Sequence, residues 1–166
     1  MTDQPLAFDP IARAADLWAE RVGPSEVMAA VTSVMRVQQI LQSAVDGALR
    51  PHGLTFARYE ALVLLYFSRR GSLPMRVMGQ RLQLHPTSVT NIVDRLEADG
   101  LVKRIPHPTD RRTTLVEITD EGRTRRGEAT DAVNAVEFGL RGLSGKQTAT
   151  LTDLLAKVRK ASGDFA

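Results

Sequence analysis

The chain contains no cysteine. Disulfides, thiolate metal sites, cysteine nucleophiles and thiol redox sensing are therefore excluded together. Histidine is nearly as scarce. His52, His85 and His107 are the whole set, their spacing matches no metal motif, and no metal or other cofactor is expected. No apolar run approaches the ~18 residues of a membrane span. The amino terminus is polar and acidic instead of basic and then apolar, so no membrane partner is expected and the cytoplasm is the default location. A Gly-rich phosphate loop and a nucleophile-elbow sequence are also missing, and scattered Ser, His and Asp residues support no triad by themselves, so an enzyme is not expected.

What is present fits one compact unit. Over 166 residues, 43% are hydrophobic and 25% charged, enough apolar material to bury a real core. Aromatics are only 5%. The net charge of +3 is unevenly spread. Residues 69 to 112 hold nine Lys+Arg against four Asp+Glu, whereas the stretch before them is slightly acidic and the stretch after them neutral. Such a concentration suits a face that meets a polyanion, and it equally suits a solvated basic face.

The elements follow one another through short punctuation. Asp9-Pro10 reads as an N-cap and first helical position, and Phe8, Ile11, Ala15, Trp18 and Val22 recur at helical spacing up to Gly23-Pro24. Ser25 can cap a second helix that runs to about Arg50. Its Val27, Val31, Val34, Leu41, Val45 and Ala48 make a heptad seam broken at Gln38, which suits either helix association or packing on the chain's own core. Thr55 caps a third helix, apolar over most of its circumference and expected to be central and buried. After Gly71-Ser72 a short helix from about Met75 to Leu82, a turn at Gln83-Leu84-His85 and a longer helix opening at Pro86 form a helix-turn-helix, closed by Gly100 as a left-handed cap. Leu101 to Ile105 and Thr113 to Thr119 are β-branched-rich runs flanking a basic tip, which predicts a two-stranded hairpin. Thr119-Asp120-Glu121 opens a long helix whose Ala129, Ala132, Val133, Val136 and Leu140 form a stripe, with Gly142 as its stop. Ser144-Gly145-Lys146-Gln147 has the form of a capping box ahead of a last helix with Leu151, Leu154, Leu155 and Val158 on one side.

A helix-turn-helix followed at once by a basic hairpin is the winged-helix order, and here it coincides with the basic stretch. On the helix from Pro86, Val89, Ile92, Val93 and Leu96 share one sector, whereas Thr87, Asn91, Asp94 and Ala98 point the other way with Ser88 and Arg95 alongside. Small polar residues in the first turns permit close approach to a major groove, where Asn91 can pair with adenine and the Thr87 methyl can meet thymine, giving an A·T-containing half-site. His85 and Thr90 flank the same turns. Arg111 and Arg112 at the hairpin tip suit a minor groove, with Asp110 placed to orient one of them. Lys103, Arg104, Arg76 and Arg81 are candidates for phosphate contacts that position without specifying. Asp94 is expected to stand back from phosphate or pair with a nearby arginine. For each residue, an ordinary capped and solvated surface is the competing account.

The stretch HPTSVTNIVDRLEADGLVKRIPHPTDRR through TTLVEITDEGR, preceded by HGLTFARYEALVLL, resembles the winged helix-turn-helix of the MarR family of bacterial transcriptional regulators, in order and spacing over roughly residues 26 to 161. The resemblance implies a mainly α fold with a small β-hairpin wing, built as a winged helix-turn-helix plus a helical dimerisation region. On this division residues 1–24 are an extension helix and 25–166 the family domain, with 25–54 and 119–166 as dimerisation helices and 55–118 as the DNA-reading lobe. It further implies a homodimer on double-stranded DNA, a repressor of a pseudo-palindromic operator, released by a small, often aromatic ligand in a crevice near Met35, Arg36, His52, Arg58, Tyr59 and Tyr66. Without cysteine, the peroxide-sensing thiol chemistry of one branch of the family is excluded. The extension helix either docks on the partner subunit through Trp18 or covers the crevice. The alternative function is a winged-helix module that meets an acidic protein and binds no specific DNA.

Overall fold

The computed structural model describes residues 6–110 and 112–166. Among the described residues seven α-helices and three short strands run in the order α1 (Pro10–Arg21), α2 (Glu26–Leu49), α3 (Phe56–Phe67), β1 (Ser72–Pro74), α4 (Met75–Leu82), α5 (Pro86–Ala98), β2 (Val102–Pro106), β3 (Thr114–Ile118), α6 (Asp120–Ala135) and α7 (Gly145–Ala161). The mainly helical, winged helix-turn-helix architecture is the one the sequence predicts. None of the described helices is long and apolar enough to cross a membrane.

Local capping chemistry sets most boundaries. Asp9 accepts from the Ile11 amide at 2.9 Å with Pro10 in the first helical position. Thr119 accepts from the Gly122 amide at 3.0 Å, ahead of Asp120 and Glu121 in the first turn of α6. Ser144 and Gln147 form the reciprocal box at the start of α7. Ser25 and Thr55 occupy the cap positions of α2 and α3, but neither side chain makes the capping hydrogen bond. The Thr55 hydroxyl instead accepts from Arg58 Nε at 3.5 Å.

The core lies in the winged lobe around α3. Leu62 and Leu65 of α3, Leu49 of α2, Met78 of α4, Val93 and Leu96 of α5, Val116 of β3 and Val133 of α6 are completely enclosed. Central burial of α3 holds for Tyr59, Ala61, Leu62 and Leu65, but its last turn emerges, leaving Tyr66 exposed and Phe67 76% exposed.

Two expectations require correction. The wing is part of a three-stranded antiparallel sheet in the order β1-β3-β2, not a free two-stranded hairpin. Ser72-Leu73-Pro74 pairs with Glu117, Val116 and Leu115. Three residues ending in proline carry no readable alternation, and proline is tolerated there because the strand lies at a sheet edge. The long helix also ends at Ala135 and does not run on to Leu140. Glu137, Phe138 and Gly139 take left-handed φ values of 52°, 52° and 80°. The reversal seats Gly139 on α2, where a Cβ would stand 2.8 Å from that of Ala44, so tertiary packing ends a stripe that periodicity would have extended.

Candidate nucleic-acid interface

His85 has the extended backbone that a residue before proline prefers, and its Nδ1 accepts from the Thr87 amide at 3.3 Å, so the start of α5 is capped without an acidic group. Val89, Val93 and Leu96 turn that helix's apolar side into the core. The opposite side is left to solvent: Thr87, Ser88, Asn91 and Arg95 are exposed, and among the described residues their side chains have no hydrogen-bond partner. Thr90 differs, since its hydroxyl bonds back to the Pro86 carbonyl at 3.1 Å. The first turns of α5 therefore present free donors, acceptors and amide dipoles with nothing of the chain's own over them. Arg76 is exposed on α4 and lines a groove of about 570 Å³ with Gln80, Leu84, Pro86 and Thr90, between the two helices of the motif.

The cations behind this face are largely spoken for. Arg104, expected as a phosphate contact, is half-buried and reaches back to α5, paired with Asp94 at 2.5 Å and also with Glu97. Glu97 additionally accepts the Arg104 amide at 2.9 Å, and that bond, ahead of the side-chain contacts, holds its carboxyl below the usual range. This corrects the reading of Arg104 and agrees with the expected pairing of Asp94: the arginine ties the wing to α5 instead of projecting from it. Lys103 is paired with Glu117 at 2.7 Å across the β2–β3 ladder. Arg81 stays exposed on α4.

At the wing tip, among the described residues, Asp110 has no arginine side chain as a partner. Its carboxylate accepts the Thr113 hydroxyl at 2.6 Å and the Arg112 amide at 3.0 Å, closing the turn, while His107 Nδ1 accepts the Thr109 and Asp110 amides at 3.3 and 3.1 Å. Arg112 is left exposed; Arg111 lies outside the described residues. The Thr113 hydroxyl first and the Arg112 amide second lower the Asp110 pKa. A carboxyl lowered in the folded state contributes its stability above its unfolded value and loses it as the pH falls through the folded one. Amide exchange at Arg112 should thus be protected at neutral pH and lose protection only below about pH 4. In Asp110→Ala the protection should be missing at every pH, and equal protection in the two proteins would show that the carboxylate does not hold the turn.

The six residues expected at a ligand crevice are spread over α2, the turn after it and α3, each with its own surroundings. Met35 and Arg36 are exposed on α2, Arg36 bonding Gln39 at 3.1 Å. His52 sits in the single 3-10 turn after α2, its Nδ1 3.8 Å from Glu128 and its carbonyl accepting from Arg125. Arg58 is paired with Asp99 at 3.2 Å, and the buried Tyr59 shares a 3.1 Å hydrogen bond with Thr130. Tyr66 is exposed, and its hydroxyl has no hydrogen-bond partner among the described residues. The Arg126 guanidinium lies 3.9 Å from its ring centroid, and Arg126 Nε is buried without a partner. Arg126 was not singled out from the sequence, where it lies in a neutral stretch; its signal is the spacing of Arg123, Arg126 and Thr130 along one face of α6.

A family model described as MarR family matches residues 52–113. The HTH-type transcriptional regulator MhqR of Bacillus subtilis (strain 168) is 33% identical over 87 residues, spanning 52% of this chain and 59% of that protein, so the chain spans about three-fifths of this curated relative. The crystal structure of Sco5413, a MarR family transcriptional regulator from Streptomyces coelicolor, superposes with a TM-score of 0.76 at 51% identity, covering 84% of this chain and 96% of that one. CouR from Rhodococcus jostii RHA1, solved bound to p-coumaroyl-CoA, gives a TM-score of 0.67 at 30% identity, covering 80% of this chain and 91% of that one. With its helix-turn-helix, its wing and likeness over nearly the whole length of Sco5413, this chain belongs to the MarR family of transcriptional regulators.

Proposed function

We propose that the chain is a cytoplasmic, homodimeric regulator that represses from a pseudo-palindromic operator and is released by a small aromatic ligand. The observation that carries the DNA-binding part is the uncovered, uncommitted polar edge of α5 beside an exposed wing arginine. Thr87, Ser88, Asn91 and Arg95 would read base edges, with Asn91 on adenine and Thr87 on thymine, while His85, Thr90, Arg76 and Lys103 border the groove and Asp110 shapes the wing that delivers Arg112 and Arg111. Two such lobes need their recognition helices about one helical turn, roughly 34 Å, apart.

The domain division supports pairing of two copies. Helices α1 and α7 bury no residue in the single chain. Trp18, Val27, Leu154 and Val158 are 41%, 77%, 54% and 65% exposed, a spread of apolar surface that a lone soluble subunit rarely shows. Residues 25–54 and 119–166 supply it together with the extension helix. For the effector, the exposed Tyr66 and Phe67 beside Arg126 are suited to an aromatic group carrying negative charge, and CouR was solved with an aromatic acyl thioester. Release requires that the ligand bind one arrangement of the dimer better than the other, because equal affinity shifts nothing.

Operator selection from random duplexes, followed by titration at several salt concentrations, tests the reading. Arg112→Ala should weaken operator binding by about tenfold and flatten the salt dependence while leaving folding and dimerisation intact. Unaltered affinity would remove the wing from the mechanism. Equal binding of selected and random duplexes would leave the protein-interaction module as the surviving account.

A further inference from the structure

The last residues of the chain do not trail away from α7. Gly163 takes a left-handed φ of 74°, and the backbone folds back so that the Asp164 amide donates to the Arg159 carbonyl at 3.1 Å. This reversal sets the Asp164 carboxylate between donors from two distant parts of the molecule. Arg159 Nε donates to Oδ2 at 2.6 Å, and Gln83 Nε2, eighty-one residues away in sequence, donates to Oδ1 at 2.6 Å. The Arg159 guanidinium also lies 5.2 Å from the Phe165 ring centroid, so the tail is braced on both sides. The Arg159 bond first and the Gln83 bond second hold the Asp164 carboxyl below its ordinary range, so it is ionised near neutrality.

Gln83 is no ordinary surface residue. It closes α4 in the left-handed region, with φ 55°, and is the first residue of the turn that leads through Leu84 and His85 into α5. The Leu84 amide donates to Gly79 and the Ser88 amide to His85, both at 2.9 Å, so a movement of Gln83 passes directly into the first turn of the recognition helix. At the other end α7 buries no residue against its own chain, and a helix without a packed face has its position set by what assembles on it and by its polar ties.

We propose that the carboxyl-terminal tail is a clip joining α7 to the turn of the helix-turn-helix, with Asp164 a positioning residue that acts through Gln83 on the start of α5. A shift of α7 is thereby delivered to the DNA-facing edge without passing through the core. The mechanical part stands on geometry alone; its effect on operator binding rests on the function proposed above.

The test is hydrogen exchange and operator titration on the protein and three variants: Asp164→Ala, Gln83→Asn and the pair. Asparagine tolerates the left-handed backbone but is too short to keep the contact. Each single variant should speed exchange at the Leu84 and Ser88 amides by roughly 2- to 5-fold, the span of a solvent-facing charged contact. The double variant should be no faster than the quicker single one, and Leu62 and Leu65 in α3 should exchange as in the parent protein. Unchanged rates at Leu84 and Ser88, or effects that multiply, overturn the clip. Operator affinity should fall by a similar factor at constant dimer affinity, and equal affinity in all four proteins overturns the coupling to DNA. Should the parent protein bind no operator, the proposed function fails and the exchange result alone decides the clip.

Discussion

Replacing Gly122 by alanine is expected to lower stability by about 3 kcal/mol, the upper part of the range for forcing an atom into a filled interior. Helix propensity argues the other way, by up to about 1 kcal/mol. Sterics wins because of what surrounds the site. A Cβ at Gly122 would run into the Leu101 carbonyl oxygen and stand 2.9 Å from Ile118 Cγ1. That carbonyl cannot withdraw easily, since it accepts the Thr119 amide at 3.1 Å, while the Leu101 amide is held by Leu96 at 2.8 Å and the Thr119 hydroxyl by Gly100 at 2.8 Å. The end of α5, the start of β2 and the start of α6 meet at this one point. A thermal melt should therefore drop by roughly 6–12 °C. Gly127, on the same helix with open space around it, is the control: its alanine variant should melt at the parent temperature or slightly above. Equal behaviour of the two variants would refute the steric argument.

Charging the open side of α7 should have the largest effect on function. Leu154 and Val158 are four residues apart, on one helix face, and exposed in the single chain. Leu154→Asp with Val158→Asp should therefore leave the fold of one subunit intact, with unchanged helical circular dichroism. If two copies pair through this face, burying two carboxylates there removes the pairing. Sedimentation should then report a single subunit, and operator affinity should fall by at least about 100-fold, because the second half-site is no longer engaged from a tethered partner. A variant that still sediments as a dimer would move the assembly surface away from α7. A monomer with undiminished operator affinity would sink the paired-lobe mechanism while leaving the interface assignment standing.

The residues most visible in the sequence were those whose partners lie within a turn of helix or a tight loop. The Asp9, Thr119 and Ser144 caps, the opening of α5 at Pro86, the left-handed Gly100, and the division of α5 into an apolar side at Val89, Val93 and Leu96 and a polar side at Thr87, Asn91 and Arg95 all follow from spacings of two to four residues. Backbone sterics and helical periodicity act at that range, so the order of the helices and of the two wing strands, and the solvent-facing polar edge of α5, follow from the sequence alone. Tertiary structure alone decided the rest. Whether Arg104 faces outward or pairs with Asp94 and Glu97 depends on where β2 lies against α5. The pairing of β1 with β3, the early end of α6 at Ala135 with Gly139 seated against Ala44, the placement of Arg126 over Tyr66 and the reach of Asp164 to Gln83 likewise join segments far apart in the chain. A charge or a short strand carries no mark of its distant partner in its own neighbourhood, and only the folded packing brings that partner within range.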